Sequence, residues 1–260
     1  MPTAFRGALL LGTRSSALAL WQTDHVCRRL MEVSPSLAVR PVPLSTLGDR
    51  EVGAVLSDLG GGAFSTEIDR ALLDGRVGVA VHSLKDLPIK DNTGIVTAAV
   101  LSRDDPRDAL VSTLEGGLAS LPSGAKIGTS SPRRHAQVLA FRNDLLVEPV
   151  RGNVETRIAK AVKGPLDAVV LAAAGLNRLG RVEHIKELLS IETFVPAPGQ
   201  GALAVQCRED DHEARALLAL IDEPAVRSEV DAERAFLSAL GGGCSLPVGA
   251  LARHIDGAPL

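Results

Sequence analysis

The residues of this sequence best suited to chemistry are basic and follow short apolar runs. Only six of the 28 basic residues are lysine. The rest are arginine, whose planar guanidinium matches a carboxylate or phosphate pairwise. Seven cations come after five apolar runs that read as strands, namely Arg14, Lys85, Arg133, Arg134, Arg151, Arg157 and Arg178. Because open parallel sheets bind ligands beyond the carboxyl ends of their strands, this placement predicts a cleft that binds a polyanion.

Asp86 is the one carboxylate that the sequence places within this basic set, directly after Lys85. One interpretation is a local ion pair with Lys85 or an arginine, which stabilises the fold and does no chemistry. The other is a functional carboxylate that the surrounding cations keep ionised. Such a group stabilises a cationic intermediate or handles protons. We interpret the nearby His82 as structural, since no Ser/His/Asp arrangement accompanies it.

Two short turns share one pattern. "LGTRSS" (11–16) and "IGTSSP" (127–132) each follow an apolar strand and open a helix. Each turn puts serine hydroxyls and free N–H groups at a helix N-terminus, where an anion binds well. Chance similarity between two small-residue turns is the simpler explanation, so the repeat alone decides nothing.

Apolar runs and amphipathic stretches alternate along the chain, which indicates an α/β fold with a mostly parallel sheet. Strands are predicted at 8–12, 78–82, 125–129, 145–150, 167–173 and 201–207. Helices are predicted at 16–32, 64–75, 153–163, 183–190 and 229–242. A polar stretch at 101–112 and a Pro/Gly-rich stretch at 192–201 predict two crossings between two lobes. A small C-terminal unit is expected from about residue 222.

Composition limits the partners and the compartment. The net charge of -3 gives no general attraction to nucleic acid or anionic membrane, and no apolar segment is long enough to span a membrane. The N-terminus does not read as a signal peptide. Cys27, Cys207 and Cys244 stand far apart without a CxxC motif, so we expect a reducing, cytoplasmic location and no metal site. Cys244 follows three glycines, which predicts an open loop around its thiol.

The sequence resembles the porphobilinogen deaminase family, also called hydroxymethylbilane synthases, over about residues 8–257. A single motif such as GTSSxRR is moderate support, whereas ten motifs in the family order make chance negligible. These motifs are "TRSSALALWQ", "GGGAF", "AVHSLKDLP", "DDPRDALVS", "GTSSPRR", "RGNVETR", "AAAGLNRLG", "PAPGQGALAVQCR", "AERAFL" and "GGGCSLPVGA".

The resemblance implies an α/β fold with two periplasmic-binding-protein-like lobes, mixed and mostly parallel sheets, and a small α+β C-terminal domain. We expect lobe 1 at 1–101 plus 196–220, lobe 2 at 102–195 and the C-terminal domain at 221–260. That last domain reads as shortened, because it ends in a strand, an Asp-Gly turn and the start of a second strand.

The resemblance also implies an activity. A transferase of this family joins four porphobilinogen molecules head to tail into hydroxymethylbilane and releases ammonia each time, in tetrapyrrole biosynthesis. We expect a monomer that acts on this small molecule without nucleic acid or membrane. Each pyrrole carries an acetate and a propionate, so a growing polycarboxylate explains the arginines.

The family's site residues carry over onto matching positions. Cys244 is expected to hold a dipyrromethane cofactor through a thioether bond, and no metal is expected. Asp86 is expected to contact pyrrole N–H groups, stabilise the cation formed when ammonia departs and assist proton transfer. Residues expected to bind the cofactor are Lys85, Thr129, Ser130, Ser131, Arg133, Arg134, Arg151 and Asn153. Residues expected to receive the substrate are Arg14, Ser16, Phe64, Arg157, Arg178 and Gln200.

Three other functions stay open. The first is a catalytically impaired deaminase homologue, because a shortened C-terminal domain buries little core. The second is a non-catalytic two-lobed protein for a small anion, which the presence of both Asp86 and Cys244 disfavours. The third is a cysteine hydrolase, which lacks a visible base beside Cys244.

Overall fold

The computed structural model describes residues 7–45, 66–241, 246–255 and 258–259. These ranges form two mixed five-stranded sheets, the helices that cover them and a separate two-stranded sheet. Two predicted site residues, Phe64 and Cys244, lie outside the described residues.

The first sheet has the strand order β2-β1-β3-β10-β4. Its strands are β1 (Leu9–Arg14), β2 (Val39–Leu44), β3 (Val79–Ser83), β4 (Ile95–Leu101) and β10 (Leu203–Arg208). β1 runs parallel to β2 and β3, whereas β10 is antiparallel to β3 and β4. This order puts the carboxyl ends of β1 and β3 side by side.

Helices cover both faces of the first sheet. They are α1 (Ala17–Val33), α2 (Thr66–Leu73) and α6 (His212–Ala219). Val79 and Val81 pack into the core formed with α1 and α6, and Ala80 between them packs into the core formed with α2. Side chains alternate between the faces of a strand, so β3 is buried on both sides and reads as a continuous apolar run.

The second sheet has the order β7-β6-β8-β5-β9 and repeats the pairing of the first. β6 is parallel to β7 and β8, and β5 is antiparallel to β8 and β9. Each of the two sheets thus has two parallel and two antiparallel strand pairs, so the sheets are mixed as expected but not mostly parallel. The strands are β5 (Asp108–Ser112), β6 (Lys126–Gly128), β7 (Leu146–Glu148), β8 (Ala168–Ala172) and β9 (Ile185–Leu188), and the helices are α3 (Pro132–Phe141), α4 (Val154–Val162) and α5 (Ala173–Arg178).

The helix predicted at 183–190 is wrong, because this stretch forms a short turn and then β9. Ile185 and Leu188 are three residues apart, which mimics one face of a helix. A register shift in the β5–β9 pairing lets both side chains pack into the same apolar cluster. The bulge therefore reproduces a helical spacing within a strand.

The link predicted at 101–112 is also partly wrong. Only residues 102–107 connect the two sheets there, because 108–112 form β5, whose five residues are all buried. The chain returns to the first sheet through residues 189–202 and enters β10. The two connections lie side by side, since the Asp104 N–H donates to the Gly201 carbonyl at 3.0 Å.

The C-terminal part consists of α7 (Pro224–Ala239) and a hairpin of β11 (His254–Ile255) and β12 (Ala258–Pro259). The predicted hairpin is confirmed by the pairing of Ile255 with Ala258, and it pairs with no other described strand. Next to α7, Asp222 accepts the Val100 N–H at 2.7 Å, and Arg227 donates to the Ala98 carbonyl at 3.0 Å. These bonds cover the open edge of β4.

Candidate active site

The two similar turns fold alike and use their hydroxyls internally. Ser16 caps α1 by accepting the Ala19 N–H at 3.3 Å, and Ser131 caps α3 by accepting the Arg134 N–H at 3.4 Å. The prediction that each turn opens a helix is confirmed. Such caps satisfy N–H groups that the first helical turn leaves unpaired.

Three more of the predicted polar residues shape the loops of the second sheet. Thr129 accepts the Ser131 N–H at 3.2 Å. Ser130 donates to the Val150 carbonyl at 2.8 Å and so joins the ends of two neighbouring strands. Asn153 caps α4 by accepting the Thr156 N–H at 2.9 Å. In the structure these side chains fix backbone at the carboxyl end of the sheet.

Arg157 lies where the cations of the two sheets meet. Burial, followed by the charges of Arg134, Arg151 and Arg14, lowers its pKa to about 10, and Asp86 opposes this shift. Arg14 ends β1 of the first sheet, whereas the other arginines follow strands of the second. The cations predicted at the strand ends therefore form a cluster in the structure with a surplus of positive charge.

Arg151 and Arg157 have hydrogen-bond donors that remain available in this cation cluster. Arg157 donates from Nε to the Gly152 carbonyl at 2.9 Å, which orients its guanidinium. Among the described residues, no acceptor binds its Nη atoms or the guanidinium of Arg151. Both side chains are half-buried. They are well suited to carboxylates of a ligand.

Arg133 and Arg134, by contrast, share an internal partner. Asp108, at the start of β5, is fully buried and lies 2.8 Å from Arg133 and 2.7 Å from Arg134. Burial alone would raise the pKa of Asp108, but the two arginines hold it well below its usual range. The expectation that Asp86 is the one carboxylate of this set is therefore wrong, because Asp108 lies deeper within it.

Gln200 connects this ion cluster to Lys85. Its Oε1 accepts from Lys85 at 3.1 Å, and its Nε2 donates to Asp108 at 2.8 Å. Burial and then the charge of Arg134 lower the pKa of Lys85 to about 8, whereas Asp86 and Asp108 oppose that shift. Gln200 lies on the connection 189–202, so one buried amide joins groups from both sheets.

Asp86 ends a short 3₁₀ helix, Leu84–Asp86, that directly follows β3. Its side chain is exposed, and within the described ranges it forms no hydrogen bond or ion pair. The alternative of a local ion pair with Lys85 or an arginine is therefore absent from the part of the chain that the structure describes. The carboxylate faces solvent at the edge of the cation cluster around Arg157.

Arg178 and His82 are both buried in the structure. Arg178 is only 7% exposed, and its Nη2 donates to the carbonyls of Ser102 and Gly201, one on each connection. Its guanidinium also lies over the ring of Trp21 on α1, 5.7 Å from the centroid. His82 is buried, and burial lowers its pKa to about 4, with Arg14 adding to the shift. It is neutral near pH 7.

Neither a metal site nor a membrane-spanning helix occurs among the described residues. No group of three or more His, Cys, Asp or Glu side chains there is arranged to hold a metal ion. No helix in that part of the chain is long and apolar enough to cross a membrane.

Solved structures with similar folds are two-lobed binding proteins. A periplasmic substrate-binding protein of an ABC transporter from Coxiella burnetii is 17% identical, with a TM-score of 0.51 over 85% of this chain and 94% of that one. The methionine-binding protein MetQ is 11% identical, with a TM-score of 0.52 over 91% and 96% of the two chains. These likenesses confirm the predicted two-lobed α/β architecture and say nothing about the ligand.

Family models and relatives at higher identity are more specific. Residues 9–216 match the dipyromethane cofactor binding domain of porphobilinogen deaminase, and residues 228–258 match its C-terminal domain. Porphobilinogen deaminase of Xanthomonas oryzae pv. oryzae is 49% identical over 94% of this chain and 81% of that protein. The Chromobacterium violaceum enzyme is 46% identical over 96% and 81%. The chain therefore belongs to the porphobilinogen deaminase family.

Proposed function

We propose that this chain condenses four porphobilinogen molecules head to tail into hydroxymethylbilane and releases ammonia at each addition, as a transferase. The observation that carries the proposal is the cation cluster around Arg157, which borders the exposed carboxylate of Asp86. Acidic pyrroles need several positive groups to bind them. The chemistry needs one negative group where positive charge develops.

The donor set fits a dipyrromethane cofactor with acidic side chains. Arg151, Arg157 and Lys85 offer N–H donors toward the cleft from both sheets, and their half-buried positions strengthen charge-assisted bonds. We propose Cys244 as the attachment point through a thioether, on the sequence motif alone. When bound, the cofactor supplies the pyrrole carbon that receives the first porphobilinogen.

We propose that Asp86 is the catalytic residue. Its carboxylate stabilises the cation that remains on the substrate when the aminomethyl carbon–nitrogen bond breaks and ammonia departs with the bonding electrons. It then takes up the proton that the receiving pyrrole carbon loses. Lys85 and Arg157 lie close enough to Asp86 for its charge to raise their pKa values, so the three charged groups belong to one site.

The remaining predicted residues support the cleft in different ways. Arg133 and Arg134 contribute positive charge while Asp108 holds them, and Gln200 orients Lys85. We propose that Arg14 and Phe64 contact the substrate, and that Arg178 does so with Nη1 while its Nη2 stays on the backbone. Residues that bind ligand mainly through the loops they shape are Ser16, Thr129, Ser130, Ser131 and Asn153.

We also propose a monomer in the cytoplasm, with lobe 1 at 1–101 plus 196–220, lobe 2 at 102–195 and a C-terminal domain at 221–260. The two connections at 102–107 and 189–202 support these boundaries. The location rests on the scattered cysteines, two of which, Cys27 and Cys207, are buried free thiols.

Turnover of porphobilinogen tests the proposal. We expect ammonia and hydroxymethylbilane from the unaltered protein, and a loss of about a hundredfold or more in Asp86→Asn with the fold intact. Asp74→Asn is a matched control, because Asp74 is an exposed carboxylate that pairs with Arg76. Binding of porphobilinogen without ammonia release would overturn the proposal and favour a non-catalytic binding protein.

A further inference from the structure

We propose that Glu233 and Arg234, neighbours on α7, are positioning residues that fix the backbone of the Lys85–Asp86 turn. The inference rests on the proposed catalytic role of Asp86. Neither residue touches the cation cluster in any described contact, and the sequence offers them only as part of the "AERAFL" motif. Their contacts lead to the turn by two separate routes.

Glu233 reaches the connection that returns to the first sheet. Its side chain is 2% exposed, Oε2 accepts the Gly199 N–H at 2.6 Å, and Oε1 accepts the Ala252 N–H at 2.8 Å. Arg103, on the other connection, lies 2.8 Å from Oε1. The buried Glu233 carboxylate therefore links α7 to both connections between the sheets and to the segment that follows α7.

Gly199 transmits this hold to the turn. Its φ of +73° is a conformation that favours glycine, and a Cβ there would overlap the Leu84 side chain. The Ala202 N–H donates to the Gly199 carbonyl at 3.1 Å, and the Leu84 N–H donates to the Ala202 carbonyl at 3.0 Å. Leu84 begins the short helix that ends at Asp86. The loop that Glu233 binds therefore packs against the first residue of that helix and accepts its N–H.

Arg234 holds the other end of the turn directly. Its Nη2 donates to the carbonyls of Pro88 at 2.7 Å and Ile89 at 2.6 Å. Between these two anchors, Val230 of α7 packs in one apolar cluster with Leu84 and Leu87. Helix α7 thus contacts the chain on both sides of Asp86, at Leu84 before it and at Pro88 and Ile89 after it.

The turn needs these contacts with α7 because it has few hydrogen bonds within itself. A single 3₁₀ turn is held by few internal bonds of poor geometry. The Asp86 carboxylate has no described partner to fix it. Its position is therefore set by the backbone, and the backbone is set by α7. Small displacements of a catalytic group cost much of its effect on rate.

Arg234→Met, compared with Arg227→Met, tests the inference. Arg227 lies on the same helix and also binds carbonyls, but those of Thr97 and Ala98 at the edge of β4. Both variants lose partly buried guanidinium bonds, so a loss of stability is expected in both. We measure porphobilinogen kcat and KM, and hydrogen–deuterium exchange in peptides covering 84–90 and 96–101.

We expect Arg234→Met to lower kcat about tenfold to a hundredfold, with KM within about twofold, and to speed exchange in 84–90. Arg227→Met should speed exchange in 96–101 and leave kcat nearly unchanged. Arg234→Lys keeps one donor and should restore part of kcat. Glu233→Gln should lower kcat more than Glu229→Gln, since Glu229 binds only Arg103, at 3.2 Å, among the described residues.

Equal kcat in the Arg234→Met and Arg227→Met proteins, or unchanged exchange in 84–90, would overturn the inference. The exchange measurement needs no turnover. If the unaltered protein does not convert porphobilinogen, the proposed function fails, while exchange still decides whether α7 holds the turn. Should Arg234→Met fail to fold, Arg234→Lys with the same two measurements takes its place.

Discussion

Arg134 donates two hydrogen bonds to one oxygen of Asp108, from Nε at 3.0 Å and from Nη2 at 2.7 Å. Its third nitrogen donates to the Val170 carbonyl at 3.1 Å, so all three are occupied. An arginine that the sequence offers as a ligand contact is thus part of the framework. The hydrogen-bond donors that remain free for a ligand belong to Arg151 and Arg157 instead.

Asp108→Asn should strongly destabilise the protein. The substitution keeps the shape of the side chain but leaves two buried guanidinium groups without a counter-charge. Breaking one partner out of a buried ion cluster costs about 3 to 5 kcal/mol in the free energy of unfolding. Urea unfolding followed by circular dichroism measures it.

Asp144→Asn is the matched control for this substitution. Asp144 also pairs with an arginine, Arg142 at 2.7 Å, but on the surface. A much smaller loss is expected there, because solvent screens exposed ion pairs. Similar losses in the two variants would contradict the importance assigned to the buried cluster.

The stability contributed by Asp108 should depend on pH in the acid range. Its pKa in the folded protein lies below the ordinary 3.8, because the arginines outweigh the effect of burial. Stabilisation by such a group is complete above its unfolded pKa and is lost as pH falls toward its folded pKa. Below pH 3.8 the difference between the unaltered protein and Asp108→Asn should shrink by up to about 1.4 kcal/mol per pH unit. Parallel stability curves would contradict this.

Lys85 should react as an amine with a lowered pKa. In Cys244→Ser protein, which cannot carry the tethered cofactor, acetylation of Lys85 followed by peptide mass spectrometry should have a midpoint near pH 8. Asp86 raises the pKa of Lys85, so adding Asp86→Asn should move the midpoint down. A midpoint near the ordinary 10.5 would show that water reaches the Lys85 ammonium and that burial does not lower its pKa.

Asn153→Ala should destabilise the protein by about 1 kcal/mol, the usual cost of losing a helix N-cap. Asn153→Asp keeps an acceptor for the Thr156 N–H and should stay close to the unaltered protein. Thermal unfolding of the three proteins measures this. If Asn153 acts mainly on the loop, both variants should keep full cofactor loading by intact mass. Loss of the cofactor in Asn153→Ala without loss of stability would assign it a direct contact instead.

The positions of the basic residues were predictable because they depend on local order along the chain. Each apolar run ends in a polar turn, and the topology rule for open sheets then brings Arg14 and Lys85 to the carboxyl edge of the first sheet and Arg151 to that of the second. The internal pairing of Arg133 and Arg134 was not predictable from this rule. It depends on Asp108, which looks like one more charge in "RDDPRD" until β5 buries it.

The supporting contacts of the site depend on long-range packing in the same way. Glu233 lies 34 residues from Gly199, and Arg234 lies 146 residues from Pro88. No periodicity relates such positions. A local pattern also misled at 183–190, where a bulge imitates helical spacing. Motif order identified the family, whereas the partners of each side chain required the fold.

Intact-mass measurement of the protein purified from a host that makes porphobilinogen tests the central claim most directly. We expect a mass above that of the bare chain by two linked pyrroles. We also expect that Cys244→Ser has the bare mass. An unaltered protein that carries no added mass would contradict the claim that this chain works with a dipyrromethane attached at Cys244.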